Sequence, residues 1–141
     1  MPSVAIPPQL FSIHQGSKKT VSRVEELNKV VRSMQMSSQE VEACAIISED
    51  SLMIAAALPQ HIDEGAVSGI SATLHSLGSR AAQELERGEL DQVLVHGDDG
   101  YVVMCNASDG TLLVVMTNSD AKLGLVFLDM KRAVEHIKKI L

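Results

Sequence analysis

The sequence predicts an α+β fold of three layers, in which a five-stranded antiparallel sheet lies between helices on both of its faces. Three segments carry apolar residues at helical spacing, and five shorter apolar segments lie between turn residues. Asp and Gly between apolar runs, a strong hairpin signal, occur twice near residues 97–110. The predicted order is α-β-β-α-β-β-β-α, so the middle helix can cover one face of the sheet and the two terminal helices the other.

The N-terminal segment is expected to be a flexible tail or a docking strap at residues 1–19, followed by a single domain at residues 20–141. The apolar residues of the tail follow no period, and three prolines and a glycine interrupt it: Pro2, Pro7, Pro8 and Gly16. The first helix is predicted to begin near Ser22, because Ser22 and Glu25 have the spacing of a capping box.

The next two segments predict a hairpin, with strands at residues 42–48 and 52–57 around a polar turn at residues 48–51. The second strand, LMIAAA, is also good helix sequence. Its short length and the turn before it favour a strand.

The middle helix has the most informative composition of the chain, because Gly65–Ser79 contains no Asp, Glu, Lys or Arg. Asp63 is the expected N-cap, and the helix is expected to end at Arg87–Gly88 with Gly88 in the left-handed conformation. One side of the helix is aliphatic and is expected to lie on the sheet: Val67, Ile70, Leu74, Leu77, Ala81 and Leu85. The opposite side is small and uncharged and is expected to face a partner: Gly65, Gly69, Ala72 and Ser76.

The C-terminal part predicts three strands and a helix. The strands are expected at residues 92–96, 101–106 and 111–117, and their apolar residues at both parities suit strands that are covered on both faces. The last helix is expected to be capped by Asn118–Asp120, with six apolar residues on one face: Leu123, Phe127, Met130, Val134, Ile137 and Leu141.

Composition excludes several classes of function. The formal charge of −6 and the scarcity of aromatic residues argue against a nucleic-acid partner. No apolar run is long enough to span a bilayer and no signal peptide opens the chain, which predicts a cytoplasmic protein without a membrane partner. Cys44 and Cys105 lie in apolar runs and are expected to be buried free thiols.

No motif predicts a cofactor, a metal or catalysis, so the chain is not expected to be an enzyme. Residues 15–20 lack the first glycine and the Gly-Lys pair of a phosphate loop. The five histidines have no metal-ligand spacing, although His75 could meet its own copy in a dimer. Arg80 could act as an arginine finger, but a solvated or ion-paired arginine is the more common case.

Several stretches in sequence order resemble the Roadblock family of dynein light-chain-related proteins. They are AALP before the middle helix, LGSRAAQEL leading into ERGEL, GDDGYVV, and SDAKLGLVFLDM before the last helix. The resemblance covers about residues 21–141 and is greatest to the prokaryotic branch, which includes MglB-like regulators of Ras-like GTPases. It implies a homodimer through the middle helix and the following strand. It also implies that this dimer binds a small GTPase or assembles with other subunits, and that it has no catalytic residues of its own.

The residues themselves favour the same interface. The third strand would be a sheet edge without proline or charge at Val93–Val95, and pairing with its own copy would remove that edge. The interface residues predicted on the middle helix and the third strand are Gly65, Gly69, Ala72, Thr73, Ser76, Arg80, Gln92, Val93, Leu94 and Val95.

The function predicted from these features is a homodimeric, non-enzymatic regulator or scaffold of a small Ras-like GTPase that modulates GTP hydrolysis. A structural adaptor without nucleotide dependence is the alternative, and its cue would be heteromeric pairing through the edge strand. A small-ligand sensor is a third possibility that no convergent set of polar residues supports.

Overall fold

The computed structural model describes the backbone of residues 8–141 and the side chains of residues 22–141. One antiparallel sheet has the strand order β2-β1-β5-β4-β3. Helices α1 and α3 pack on one face and against each other, and α2 packs on the other face. This is the predicted three-layer α+β fold. The elements are α1 (Pro8–Met36), β1 (Val41–Ser48), β2 (Met53–Ala57), α2 (Glu64–Glu84), β3 (Gln92–Gly97), β4 (Gly100–Ser108), β5 (Thr111–Asn118) and α3 (Leu123–Ile140).

The centre of the sheet separates two apolar cores. Beneath α1 and α3, side chains such as Val31, Ile46 and Ile137 are fully buried in the larger core. Beneath α2, Ile47 and Met104 belong to a smaller core. Strands β1 and β5 lie between helical layers, so residues of both parities are buried, as their continuous apolar sequences predict.

Helix α1 begins much earlier than predicted. It starts at Pro8 and not near Ser22, so the expected boundary at residue 20 lies inside a helix. A proline fits the first turn of a helix because its missing N–H would have no intrahelical partner there, and Gly16 costs only about 1 kcal/mol relative to alanine. The flexibility of residues 1–19 stays a prediction, and residues 1–7 lie outside the described residues.

The predicted hairpin turns lie where the sequence places them. Residues 98–99 join β3 to β4, and residues 109–110 join β4 to β5. Gly110 has φ 73°, a left-handed conformation that glycine adopts without steric cost. These two turns fix the register of the β3-β4-β5 meander.

The C-terminus of α2 differs from the prediction. The helix ends at Glu84 with Leu85 as C-cap, and the left-handed residue that follows is Glu86 with φ 58°. The N–H of Glu86 donates to the carbonyl of Gln83 and that of Arg87 to the carbonyl of Ala82, which together form a Schellman motif. Gly88 is also left-handed, with φ 91°, but lies beyond the motif.

Replacing Glu86 with glycine is expected to raise the free energy of unfolding by about 0.5–1 kcal/mol. Glycine avoids the steric cost of the left-handed conformation, and its greater freedom in the unfolded chain offsets part of the gain. Equilibrium urea unfolding measures the change. Glu89→Gly is the matched control, since Glu89 has no positive φ, and an equal gain in both variants would contradict this explanation.

Helix α3 lacks the side-chain cap that the sequence predicts from Asn118–Asp120. The Asn118 side chain instead accepts a hydrogen bond from the N–H of Asp120 at 3.0 Å and closes a turn after β5. Lys122 is the N-cap residue, and its side chain makes no capping hydrogen bond. Asn118–Asp120 therefore form a turn after β5 and do not cap α3.

Candidate interaction surface

Strand β3 forms one edge of the sheet. It pairs only with β4, so its other side has no strand partner among the described residues. Its residues are more exposed than those of the central strands: Val93 is half-buried, whereas Gln92, Leu94 and Val95 are exposed. Because neither proline nor charge protects Val93–Val95, this edge can pair with another strand.

The orientation of α2 is the main correction to the sequence analysis. The residues buried against the sheet are Ser68, Ser71 and Ala72, with Val67 and Leu74 partly buried beside them. Ile70 and Leu77, expected on the sheet, are 60% and 59% exposed, and Leu85 is 67% exposed. Small residues let α2 lie close to the sheet, whose inner face is already filled by larger side chains such as Met104 and Ile47.

The outward side of α2 and the edge strand together form an apolar area that we call the α2–β3 surface. Helix and strand are adjacent there: a Cβ on Gly78 would lie 3.0 Å from a methyl group of Val93 and 3.3 Å from Leu90. Its exposed large apolar residues are Ile70, Leu77, Leu85 and Val95. Leu94 is also exposed but lies on the other face of the sheet, because it pairs with Val103 of the larger core. Exposed apolar residues grouped in this way are typical of protein interaction sites.

The α2 residues predicted to contact a partner differ in their exposure to solvent. Gly65, Thr73, Ser76 and Arg80 are exposed, Gly69 is half-buried, and Ala72 is 9% exposed and packs toward the sheet. Two shallow depressions of about 440 and 430 Å³ lie along this helix. Gly69 lines the first, and a Cβ there would meet nothing within 4 Å.

Two polar side chains of α2 make contacts within the chain. His75 Nε2 lies 2.8 Å from Asn106 Oδ1, and the Asn106 amide donates to the carbonyl of Leu90 at 3.3 Å. His75 is therefore tied to β4, and its meeting with its own copy in a dimer stays a prediction. Arg80 is exposed and lies 3.4 Å from Glu84, which is the ion-paired arrangement weighed against an arginine finger.

Asn106 was missed as an organising residue by the sequence analysis. It links α2, β4 and the segment that leads into β3, and therefore fixes the position of the helix relative to the edge strand. The signal available in the sequence was a polar residue at the end of the apolar run YVVMCN. In the structure this residue lies where the pairing of β4 with β5 becomes irregular.

The two cysteines differ in burial: Cys44 is buried in the larger core, whereas Cys105 is half-buried beside it. Burial raises the pKa of Cys44 to about 12 and that of Cys105 to about 11. Both thiols are therefore protonated at neutral pH, where the thiolate needed for nucleophilic attack is scarce. Both are free cysteines, as predicted, but only Cys44 is fully buried.

The part of the chain that the structure describes holds no group of three or more His, Cys, Asp or Glu side chains arranged to bind a metal ion. None of the described helices combines the length and the apolar character needed to cross a membrane.

Comparison with known proteins identifies the family. The sequence model of the Roadblock/LC7 domain matches residues 27–117. An uncharacterized protein of Methanocaldococcus jannaschii is 33% identical over 113 residues, which cover 80% of this chain and 91% of that protein.

Solved structures share the fold at low sequence identity. Myxococcus xanthus MglB has a TM-score of 0.77 at 20% identity and covers 83% of this chain and 88% of its own. A structure described as MglB with tetrameric arrangement has a TM-score of 0.74 at 18% identity, with 84% and 89% covered. The family match and the shared fold confirm the resemblance seen in the sequence, and the chain belongs to the Roadblock/LC7 family.

Proposed function

We propose that this protein is a non-enzymatic homodimeric scaffold that binds a small Ras-like GTPase and biases its nucleotide cycle. The observation that carries the proposal is the α2–β3 surface, where an unpaired sheet edge lies beside an exposed aliphatic helix side. Membership of the Roadblock/LC7 family and the MglB-like fold support a regulator or adaptor role.

In the proposed dimer, β3 pairs antiparallel with its own copy around a two-fold axis perpendicular to the sheet. Pairing satisfies the free backbone groups of the edge and buries Val95, while the two α2 helices lie next to each other on one face. Contact between the helices would cover Ile70 and Leu77, each now about three-fifths exposed. The tetrameric arrangement described for one MglB supports self-association as a property that this fold permits.

The paired α2 helices would form the platform for the GTPase. Gly65, Thr73 and Ser76 are exposed, and no charged residue lies between Gly65 and Ser79. Gly69 has open space around its Cα, so a partner backbone can approach closely. An uncharged, closely approachable surface suits a partner that presents its own polar loops, because no charge needs to lose its hydration.

Regulation on such a platform acts through differential binding. A dimer that contacts the switch regions more favourably in one nucleotide state shifts the GTPase toward that state by the difference in binding free energy. Arg80 already pairs with Glu84, so the proposal assigns it no finger role, and Arg80→Ala is expected to leave any GTPase stimulation unchanged.

The test uses a small Ras-like GTPase encoded in the same genome, loaded with GDP or a non-hydrolysable GTP analogue. Binding is measured by calorimetry with the wild-type protein and with Gly69→Arg, which places a large cation on the platform. Gly124→Arg, on exposed helix α3, is the matched control. We expect binding to one nucleotide state at least about tenfold tighter than to the other, lost in Gly69→Arg and kept in the control.

Equal binding in both states would replace this function with that of a structural adaptor. Absence of binding in both states, or loss in the control variant alone, would contradict a GTPase platform on α2.

A further inference from the structure

Positive and negative side chains are concentrated in different layers of this protein, although the chain as a whole is acidic. From Ser22 onward, eight of the ten Lys and Arg lie in α1, in α3 or at Lys122 just before α3. Only four of the eighteen Asp and Glu lie there. The rest of the chain, residues 37–121, carries two cations against fourteen acidic residues. The layer of α1 and α3 is therefore cationic on a molecule whose net charge is −6.

These cations are available to an external partner. Lys29, Arg32, Arg132 and Lys139 are all exposed. Among residues 22–141 the one ion pair joins Arg80 to Glu84 on α2, so no cation of α1 or α3 in that range is neutralised by a carboxylate within 4.0 Å.

The same layer also exposes large apolar side chains. On α3, Leu125 is 58% and Leu128 is 44% exposed, and they share the outward side of the helix with Arg132 and Lys139. At the end of α1, Met36 is 82% exposed. We call these seven residues the α1–α3 face: Lys29, Arg32, Met36, Leu125, Leu128, Arg132 and Lys139. Exposed leucines beside lysines and arginines are typical of helices that lie at a membrane surface.

A cleft of about 410 Å³ runs between the two helices at this face. Its floor is apolar, with Met34 and Ala133 buried, and Lys29, Arg132 and His136 line its rim together with one carboxylate, Asp129. The hydroxyls of Ser33 and Ser37 also line it. Cations and hydroxyl donors above an apolar floor suit a phosphate group that is joined to an apolar body.

We propose that the α1–α3 face docks on an anionic lipid bilayer, with lipid phosphates at the cationic cleft and Leu125 and Leu128 at the acyl boundary. The sequence predicted no membrane partner, and the net charge argued against nucleic acid. A surface nevertheless responds to the charge that faces it, because exposed charges beyond about 10 Å are screened. In the proposed dimer both copies of this face lie on the side opposite the paired α2 helices. The inference rests on the proposed function only for this doubling of the face.

A lipid surface fits the α1–α3 face better than nucleic acid or an acidic protein. Tyr101 and Phe127 are the only Phe, Tyr or Trp residues from Ser22 onward and neither lies on the face, so it offers no Phe, Tyr or Trp platform for base stacking. Leu125 and Leu128 lie outside the cleft, on a broad surface formed by two adjacent helices. The acyl chains of a bilayer can cover such separated leucines without a surface of complementary shape.

The experiment measures sedimentation of the full chain with vesicles of equal parts phosphatidylglycerol and phosphatidylcholine, against vesicles of phosphatidylcholine alone. Lys29→Glu combined with Arg132→Glu tests the cations. Arg87→Glu combined with Leu52→Glu and Gln60→Glu makes the same change in net charge at exposed sites away from the face and is the matched control. Leu125→Ser combined with Leu128→Ser tests insertion, and circular dichroism confirms that each variant is folded.

We expect wild-type protein to bind the anionic vesicles and to dissociate at about 0.5 M salt. The cation variant should bind at least about twentyfold more weakly, and the leucine variant about tenfold more weakly. The control variant should bind as wild type does. Binding to neutral vesicles alone, no vesicle binding, or equal loss in the control would overturn the proposal.

Two further measurements separate the alternatives. If poly-glutamate binds the face and the vesicles do not, the partner is an acidic protein. If glycerol phosphate binds the cleft and the vesicles do not, it is a small-anion site, and either result overturns the lipid assignment. If the protein is monomeric in solution and binds vesicles, the proposed dimer is rejected and this inference stands. If it is dimeric and does not bind vesicles, this inference is rejected and the proposed dimer stands.

Discussion

Ile70→Glu combined with Leu77→Glu is expected to convert the proposed homodimer to monomers that remain folded. The two side chains are 60% and 59% exposed in the isolated chain, so their replacement leaves its core intact. In the dimer each glutamate would lose its hydration without gaining a partner, which raises the dissociation constant by about a thousandfold or more. Size-exclusion chromatography with light scattering at micromolar concentration measures the change.

Leu52→Glu is the matched control for this prediction. Leu52 is 65% exposed, beside β2 at the opposite edge of the sheet from β3, so its replacement should leave the dimer unchanged. A wild-type protein that is monomeric at micromolar concentration would reject the α2–β3 dimer. If the double variant remained dimeric, the dimer interface would have to lie on another surface.

Gly100→Ala is expected to destabilise the monomer more than substitution at any of the exposed sites discussed above, by about 2–4 kcal/mol. Gly100 has φ 149°, and a Cβ there would overlap the carbonyl oxygen of Thr117 on β5. Gly100 opens β4 opposite Asn118, so the clash can be relieved only by moving backbone that is part of the sheet. Urea unfolding followed by circular dichroism measures the loss.

Gly110→Ala separates conformational strain from steric overlap. Gly110 is also left-handed, with φ 73°, but a Cβ there would meet nothing within 4 Å. Its replacement should cost only about 1 kcal/mol, the usual penalty of that conformation. Equal losses in the two variants would show that the contact with Thr117 carries no cost.

Most of the strand assignments could be predicted because their signals are local. The turns at residues 98–99 and 109–110 combine Gly and Asp between apolar runs, and the structure has two-residue connections at both. The ends of the helices were less predictable. Glu86 takes the cap position that the sequence assigns to Gly88, because the hydrogen bonds to Ala82 and Gln83 decide where the helix stops, and Gly88 is left-handed beyond that cap.

The direction in which α2 faces could not be derived from its sequence. A charged residue normally marks the solvent side of a helix, and Gly65–Ser79 has none. Both sides are therefore compatible with burial, and the prediction placed the larger aliphatic side on the sheet. The structure buries Ser68 and Ala72 instead and leaves Ile70 and Leu77 outside, which strengthens the case for a partner while changing the residues that would touch it.

The sequence by itself determined the order of the elements, the three-layer fold and the unprotected edge at Val93–Val95, because periodicity, turn residues and missing charge are properties of neighbouring residues. Only the tertiary structure decided which side of α2 meets the sheet and that α1 and α3 bring their cations together on one face. Those two features depend on how distant segments pack, since the space left between the helices and the sheet selects which side chains fit and which remain outside.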